Sequence, residues 1–449
     1  MTTPQTPASV FAAKYCRLVV QMFETLTSIT DKTRSALRQA AARAPARRAG
    51  RGSGRKSEPG SALAPGCEGD PAGFSAARLA QLGRPLRDQT RELADCQALL
   101  DRGRDLARQE RWEALCAEVA AADARRGATV AGTPEAELLA AGARSDLARA
   151  FESASSAGAL SRGHRMFAGL QALDDIAADL APDPGCAAVV ALSHMDAGWA
   201  WYKQGWRRGR PEQHVAAFRS AFARAEAILA PYTDAAAGSP LLASTHCALL
   251  AGQPGAERQV VDRYETLIGL APGMPGHMRA FGLHLLPCWF GSYEALDLAA
   301  RRMAAVTGET WGSGGYAWVW FDALLQDPAA FTALDAGYFV EAIDDILRRH
   351  PGQHMVNLFA ACLSQLLTRE TGPDRSQRRL LDKMRTRLIR SDMRETHGWV
   401  WSLTDIGYAT PGSAHVGGAE IGARQAWEAL STVLARELRR IQGQPSPAP

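Results

Sequence analysis

At 449 residues, 46% of them hydrophobic, the chain has material for a large buried core and length for about two to three domains or one extended repeat array. Its 51 Lys/Arg against 47 Asp/Glu leave a net charge of +4, and outside residues 1–60 the balance is 40 against 44, so the body carries no nucleic-acid footprint. No stretch reaches the ~20 apolar residues of a membrane span, and Met1 to Pro7 lacks the charged start of a secretory signal, so a cytoplasmic location is expected.

Alanine and arginine dominate over lysine, as in a GC-rich bacterial coding sequence, and alanine and leucine favour helix throughout. Residues 1–37 are expected to form an amphipathic N-terminal helix, because Phe11, Tyr15, Leu18, Met22, Leu26 and Ile29 recur at three- and four-residue steps. Residues 38–73 read as a disordered basic linker, with Arg43, Arg47, Arg48, Arg51, Arg55 and Lys56 among Gly, Pro and Ala. Such a segment buries too little apolar surface to offset its ordering entropy. A helical repeat-like body then spans 74–441, and 442–449 form a disordered tail.

Within the body, helices are predicted at 98–125, 133–150, 163–180, 186–202, 211–229, 240–250, 256–270, 277–286, 293–306, 316–325, 338–349, 355–371, 377–391 and 420–441. Gly/Pro breaks separate them, among them Pro182 to Gly185, Gly209 to Pro211, Ala271 to Gly276 and His350 to Gly352. Pro211 and Pro351 are placed in first turns, where the missing N–H costs nothing. No sheet is expected. Helix–turn–helix spacing of roughly 30–40 residues points to a tetratricopeptide type of repeat. Gly103, Trp112 and Ala122 fit one such unit, with Leu115 where alanine is preferred. Trp201, Gly205 and Ala217 fit a second, with Arg224 where a small residue belongs. Gly291 to Glu294 is similar to its inter-helix turn, with Leu296 departing and Pro287 breaking the helix before it. The fold class is therefore all-α, a helix-turn-helix α-solenoid or a superhelical bundle.

Ala197-Gly-Trp-Ala-Trp201 followed by Arg207-Arg-Gly209, then Leu285-Leu-Pro-Cys-Trp-Phe-Gly291 with Glu294, then Gly314-Gly-Tyr-Ala-Trp318, carry a resemblance over about residues 185–325. This stretch resembles a bacterial domain-of-unknown-function family of tetratricopeptide-like helical architecture. The resemblance implies a helical fold and no established activity.

Seven of the 11 tryptophans lie between Trp199 and Trp320. Most are expected to fill grooves between helices, since each buries a large apolar area. Trp199 and Trp201 are two apart and cannot share a helical face, nor can Trp318 and Trp320. One face of each pair is left for a concave groove, with Trp199, Trp201, Arg207, Trp289, Tyr316, Trp318 and Trp320 as candidate partner-binding residues. The leading expectation is a non-enzymatic protein-binding or scaffold module with an unknown protein or peptide partner.

Chemical signatures are weak. Glu309 to Gly315 is glycine-rich but lacks a preceding strand and a phosphate lysine, and reads as a helix stop and loop. Gly50 to Ser57 misses a phosphate loop because Arg55 stands where glycine is required. His350 and His354 have metal-ligand spacing near Glu341, Asp344 and Asp345, but Pro351 and Gly352 interrupt any helix between them. Asp174-Asp175 reads as a polar helix face. No G-x-S-x-G occurs, and the eight cysteines form no C-x-x-C pair, which leaves buried reduced thiols. No catalytic residue, cofactor or metal is expected. The alternatives are an enzyme or small-molecule-binding protein with a pocket in the Trp-rich region 194–320, the enzyme using His194, Asp196 and His246 or His284, and a peripheral membrane protein tethered through residues 8–56.

Overall fold

The computed structural model describes residues 71–161, 165–208, 211–370, 372–403 and 418–441. The expected N-terminal helix, the linker up to residue 70, Gly209 and the C-terminal tail lie outside these residues. The fold is all-α: the described residues form 19 α-helices and one pair of two-residue strands. None of these helices is long and apolar enough to cross a membrane.

Boundaries follow the sequence where local chemistry sets them. Pro211–Leu229 begins on its proline. Tyr293–Val306 begins after Ser292, whose Oγ accepts from the Ala295 N–H at 3.2 Å. Elsewhere the structure corrects the reading. The single helix expected at 98–125 is two, Arg91–Arg108 and Trp112–Ala124, because Glu110 adopts φ 56 and a left-handed residue cannot continue a right-handed helix. The expected stop at 309–315 contains a further short helix, Gly308–Trp311, and Gly312 at φ 63 turns the chain into Gly314–Gln326. Pro351 precedes the N-cap Gly352 of Gln353–Leu367 and so lies outside the first turn. The first described element is the helix Pro71–Gln81.

Helices two or three apart in sequence pack on one another, as in Arg91–Arg108 on Glu135–Ser156, Glu135–Ser156 on Pro184–Arg207, and Pro275–His284 on Gly314–Gln326. Glycines set the closest approaches. A Cβ on Gly103 would lie 2.1 Å from the Leu139 carbonyl oxygen, and one on Gly282 would lie 1.8 Å from that of Val319. Alanine at 282 would gain about 1 kcal/mol of helix propensity, but relieving that overlap requires two packed helices to separate. Gly282→Ala should therefore cost about 3 kcal/mol net in thermal or urea melts. Gly269→Ala, where nothing lies within 4 Å of the new Cβ, should melt no lower than the native chain.

The described ends of the chain meet. Pro71–Gln81 packs on Gly418–Val433, with the Arg78 guanidinium 5.3 Å above the Trp427 ring. Leu86–Arg87 pairs in parallel with Thr396–His397. Arg84 donates to the Arg390 carbonyl at 2.9 Å, and the Trp399 indole donates to Thr90 Oγ1 at 3.1 Å. The fully buried Asn357 holds the later partner of this seam. Its amide donates to the Gln353 and Glu395 carbonyls at 2.9 and 3.0 Å, and its Oδ1 accepts from the His397 N–H and the Trp401 indole, both at 2.9 Å.

Two main cores result. One gathers Leu79, Leu82 and side chains from Ala243 to Leu434. The other gathers side chains from Leu106 to Leu249. Trp199, on the edge of the second, meets Trp289, on the edge of the first, with ring centroids 6.1 Å apart.

Candidate functional site

The site forms around the helix Pro184–Arg207. Asp183 caps it, accepting from the Cys186 N–H at 2.7 Å, and Pro184 opens it. One side packs on Pro211–Leu229, where Gly205 brings the backbone against His214. Another side faces Glu135–Ser156, where the Ser155 hydroxyl donates to the Ala200 carbonyl at 2.8 Å. The remaining face carries Leu192, Asp196, Trp199, Tyr202, Lys203, Trp206 and Arg207, all half-buried and spaced at three- and four-residue steps.

Trp199 is held edge-on by Phe218 at 5.0 Å, Tyr202 at 5.6 Å and Trp289 at 6.1 Å. Trp289 rests against His284 at 5.3 Å and Phe290 at 5.5 Å. Arg207 donates to Ser156 Oγ at 3.0 Å, and Lys203 Nζ lies 3.9 Å from a Glu152 carboxylate oxygen. Burial pushes the Lys203 ammonium down to about 8. The Trp206 indole N–H is buried without a hydrogen-bond partner. The face thus presents aromatic edges, two cationic side chains and one unmatched donor.

Of the seven candidate residues, three fall here: Trp199, Arg207 and Trp289. Trp201 points to the other side of the helix, stacked on Phe167 at 6.0 Å and beside His214 at 5.6 Å. Tyr316, Trp318 and Trp320 do not belong to a groove, which corrects the expectation for them. They are 0%, 1% and 0% exposed, because Gly314–Gln326 is covered by Pro275–His284, Tyr293–Val306, Ala336–Arg349 and Gln353–Leu367. The Tyr316 hydroxyl donates to Asp297 at 2.7 Å, and Trp318 packs on Trp311 and Phe359. Lys203 and Trp206 were missed because the predicted helix stops at 202 and the real one runs to Arg207. A wheel extended by five residues places both beside Trp199.

The enzyme alternative's residues are dispersed. His194 Nε2 lies 2.8 Å from Asp174, which also meets Arg224 at 3.3 Å; Asp174 is only 10% exposed and so is no polar helix face. Asp196 pairs with Arg144 instead. His284 meets the Tyr264 hydroxyl at 3.1 Å, and His246 Nε2 is buried without a partner. His350 lies on the Trp311 ring at 4.2 Å, whereas His354 lies beside Trp399 at 5.4 Å. Asp345 accepts from the Ser313 N–H and hydroxyl, both at 2.7 Å, and Asp344 pairs with Arg387. Among the described residues, no three His, Cys, Asp or Glu side chains are grouped to hold a metal ion.

Two of these histidines predict an acid response. Burial holds His284 down to about 4 and, with His397 and Arg279 nearby, His354 down to about 3, against an ordinary value of 6.5. Below 6.5 the unfolded chain takes up two protons that the folded chain refuses. Stability is therefore full above that pH and falls as pH drops toward 4, at about 2.7 kcal/mol per pH unit when both contribute. Urea midpoints compared at about pH 7.5 and about pH 5 measure this, and equal midpoints would contradict it.

No family model matches the chain, and no curated protein or solved structure matches it.

Proposed function

We propose that the chain is a non-enzymatic, protein-binding module of tetratricopeptide-like helical type, and that it takes a peptide segment of its partner on the outer face of Pro184–Arg207. One observation carries this reading. Trp199, Trp206 and Arg207 stay partly exposed on one helix face, with Lys203 more deeply set between them, whereas Trp311, Trp318, Trp320 and Trp401 are fully buried. Half-exposed aromatics beside cations suit a segment with apolar and acidic side chains, and Trp and Arg are the residue types that carry interface energy. The Trp206 N–H offers a bond to a backbone carbonyl that follows a small ring movement.

Capture of partners by the full chain tests this. Trp206→Ala with Arg207→Ala should lower retention of specific partners at least tenfold, about 1.4 kcal/mol, while the melting curve stays close to native. Unchanged retention would remove the proposal's support.

A further inference from the structure

Charge is unevenly placed on the body. Residues 375–394 hold eight Lys/Arg against two Asp/Glu, net +6, which leaves the rest of residues 61–449 at −10. Most of this excess lies on the helix Arg375–Arg387, which packs on Ala336–Arg349 and Gln353–Leu367 through Leu381 and Met384. Arg378, Arg385, Arg387 and Arg390 are spent within the fold, on the Arg369 carbonyl, Asp382, Asp344 and Glu437. Arg375, Arg379 and Lys383 are not: they stand exposed at four-residue steps on one helix face, and none of them has an ion pair or hydrogen bond among the described residues. Leu380, 42% exposed, stands between them.

The helix start is served by its N-cap Asp374, which accepts from the Ser376 and Gln377 N–H groups at 2.7 and 3.0 Å. Arg375, beside that cap, stands at the positive end of the helix dipole, where a cation is unfavourable. With Arg379 and Lys383 it forms an exposed cationic stripe that suits an external anion. We propose that this face docks the body onto an anionic phospholipid surface, with Arg375, Arg379 and Lys383 among the headgroup phosphates and Leu380 at the acyl boundary. The exposed apolar side chain inside a cationic stripe fits a lipid interface. Residues 375–394 contain no Phe, Tyr or Trp on which a nucleobase could stack, which disfavours nucleic acid. The surface shares no residue with the Pro184–Arg207 face, so either proposal can fail alone.

Flotation or co-sedimentation of the full chain on phosphatidylcholine vesicles, with and without phosphatidylserine, is the test. Binding should require phosphatidylserine and weaken as salt rises. Arg375→Glu/Arg379→Glu/Lys383→Glu should weaken it by about 100-fold, while the melting temperature stays close to native, since all three side chains are exposed. Three results would each overturn the proposal. The triple variant binds as well as the native chain, which would assign the attraction to another segment such as residues 8–56. The native chain ignores phosphatidylserine. Or RNA of matched negative charge competes the chain off the vesicles while phosphatidylserine vesicles fail to displace that RNA.

Discussion

Asp322→Ala is expected to lower stability by about 3–5 kcal/mol, one of the largest single losses in the molecule. Asp322 and Arg279 form a two-bond pair at 3.0 and 2.9 Å, joining Gly314–Gln326 to Pro275–His284. Their side chains are 5% and 15% exposed, and the guanidinium lies 4.9 Å above the Phe321 ring. Removing the carboxylate takes a two-bond counter-charge from a mostly buried guanidinium, between two helices that Gly282 has already brought into contact. The cost comes from the charge left behind, more than from the net value of the pair. Asp322→Leu combined with Arg279→Met should therefore recover most of the loss, since neither charge then remains. The exposed pair Arg102–Glu118, at 47% and 37% exposure, should cost under about 1 kcal/mol when Glu118 is cut to alanine. Urea unfolding of the three variants decides it. A loss below about 1 kcal/mol for Asp322→Ala would mean the site is wetter than its burial indicates.

The helical class and many boundaries were legible because they depend on nearby residues. Pro211 and Ser292 each carry their own start signal, and the helices they open begin there. The break at Glu110 was illegible, since neither glycine nor proline marks it. What could not be read was which side of a helix the rest of the molecule covers. Two-residue spacing puts Trp199 and Trp201 on different sides of Pro184–Arg207, and each keeps part of its ring exposed. The same spacing misleads at Trp318 and Trp320, because Gly314–Gln326 leaves no face open. That difference arises from helices far away in sequence. So does the partnership of Asp174 with His194, and so does the meeting of Cys116 with Cys186, two buried free thiols of one apolar cluster.

Trp320 and Trp206 should therefore behave in opposite ways. Trp320 is fully buried, and Trp320→Ala should cost about 3–5 kcal/mol through lost burial and a cavity that four surrounding helices cannot close. Partner retention by the folded protein should not change. The Trp320 indole N–H has no hydrogen-bond partner, so the site holds an unmet buried donor. Trp320→Phe removes that donor, relieving about 1–3 kcal/mol of desolvation cost, and keeps most of the ring. It should be far milder than alanine, close to neutral in urea unfolding. Trp206→Ala leaves no closed cavity, since the residue is half-exposed, and should cost about 1 kcal/mol while partner retention falls. Stability and binding measured together on these three variants separate a core tryptophan from a contact tryptophan. Should Trp320→Ala spare stability but abolish retention, the burial of Gly314–Gln326 would not hold in solution, and the groove would have to be redrawn through that helix.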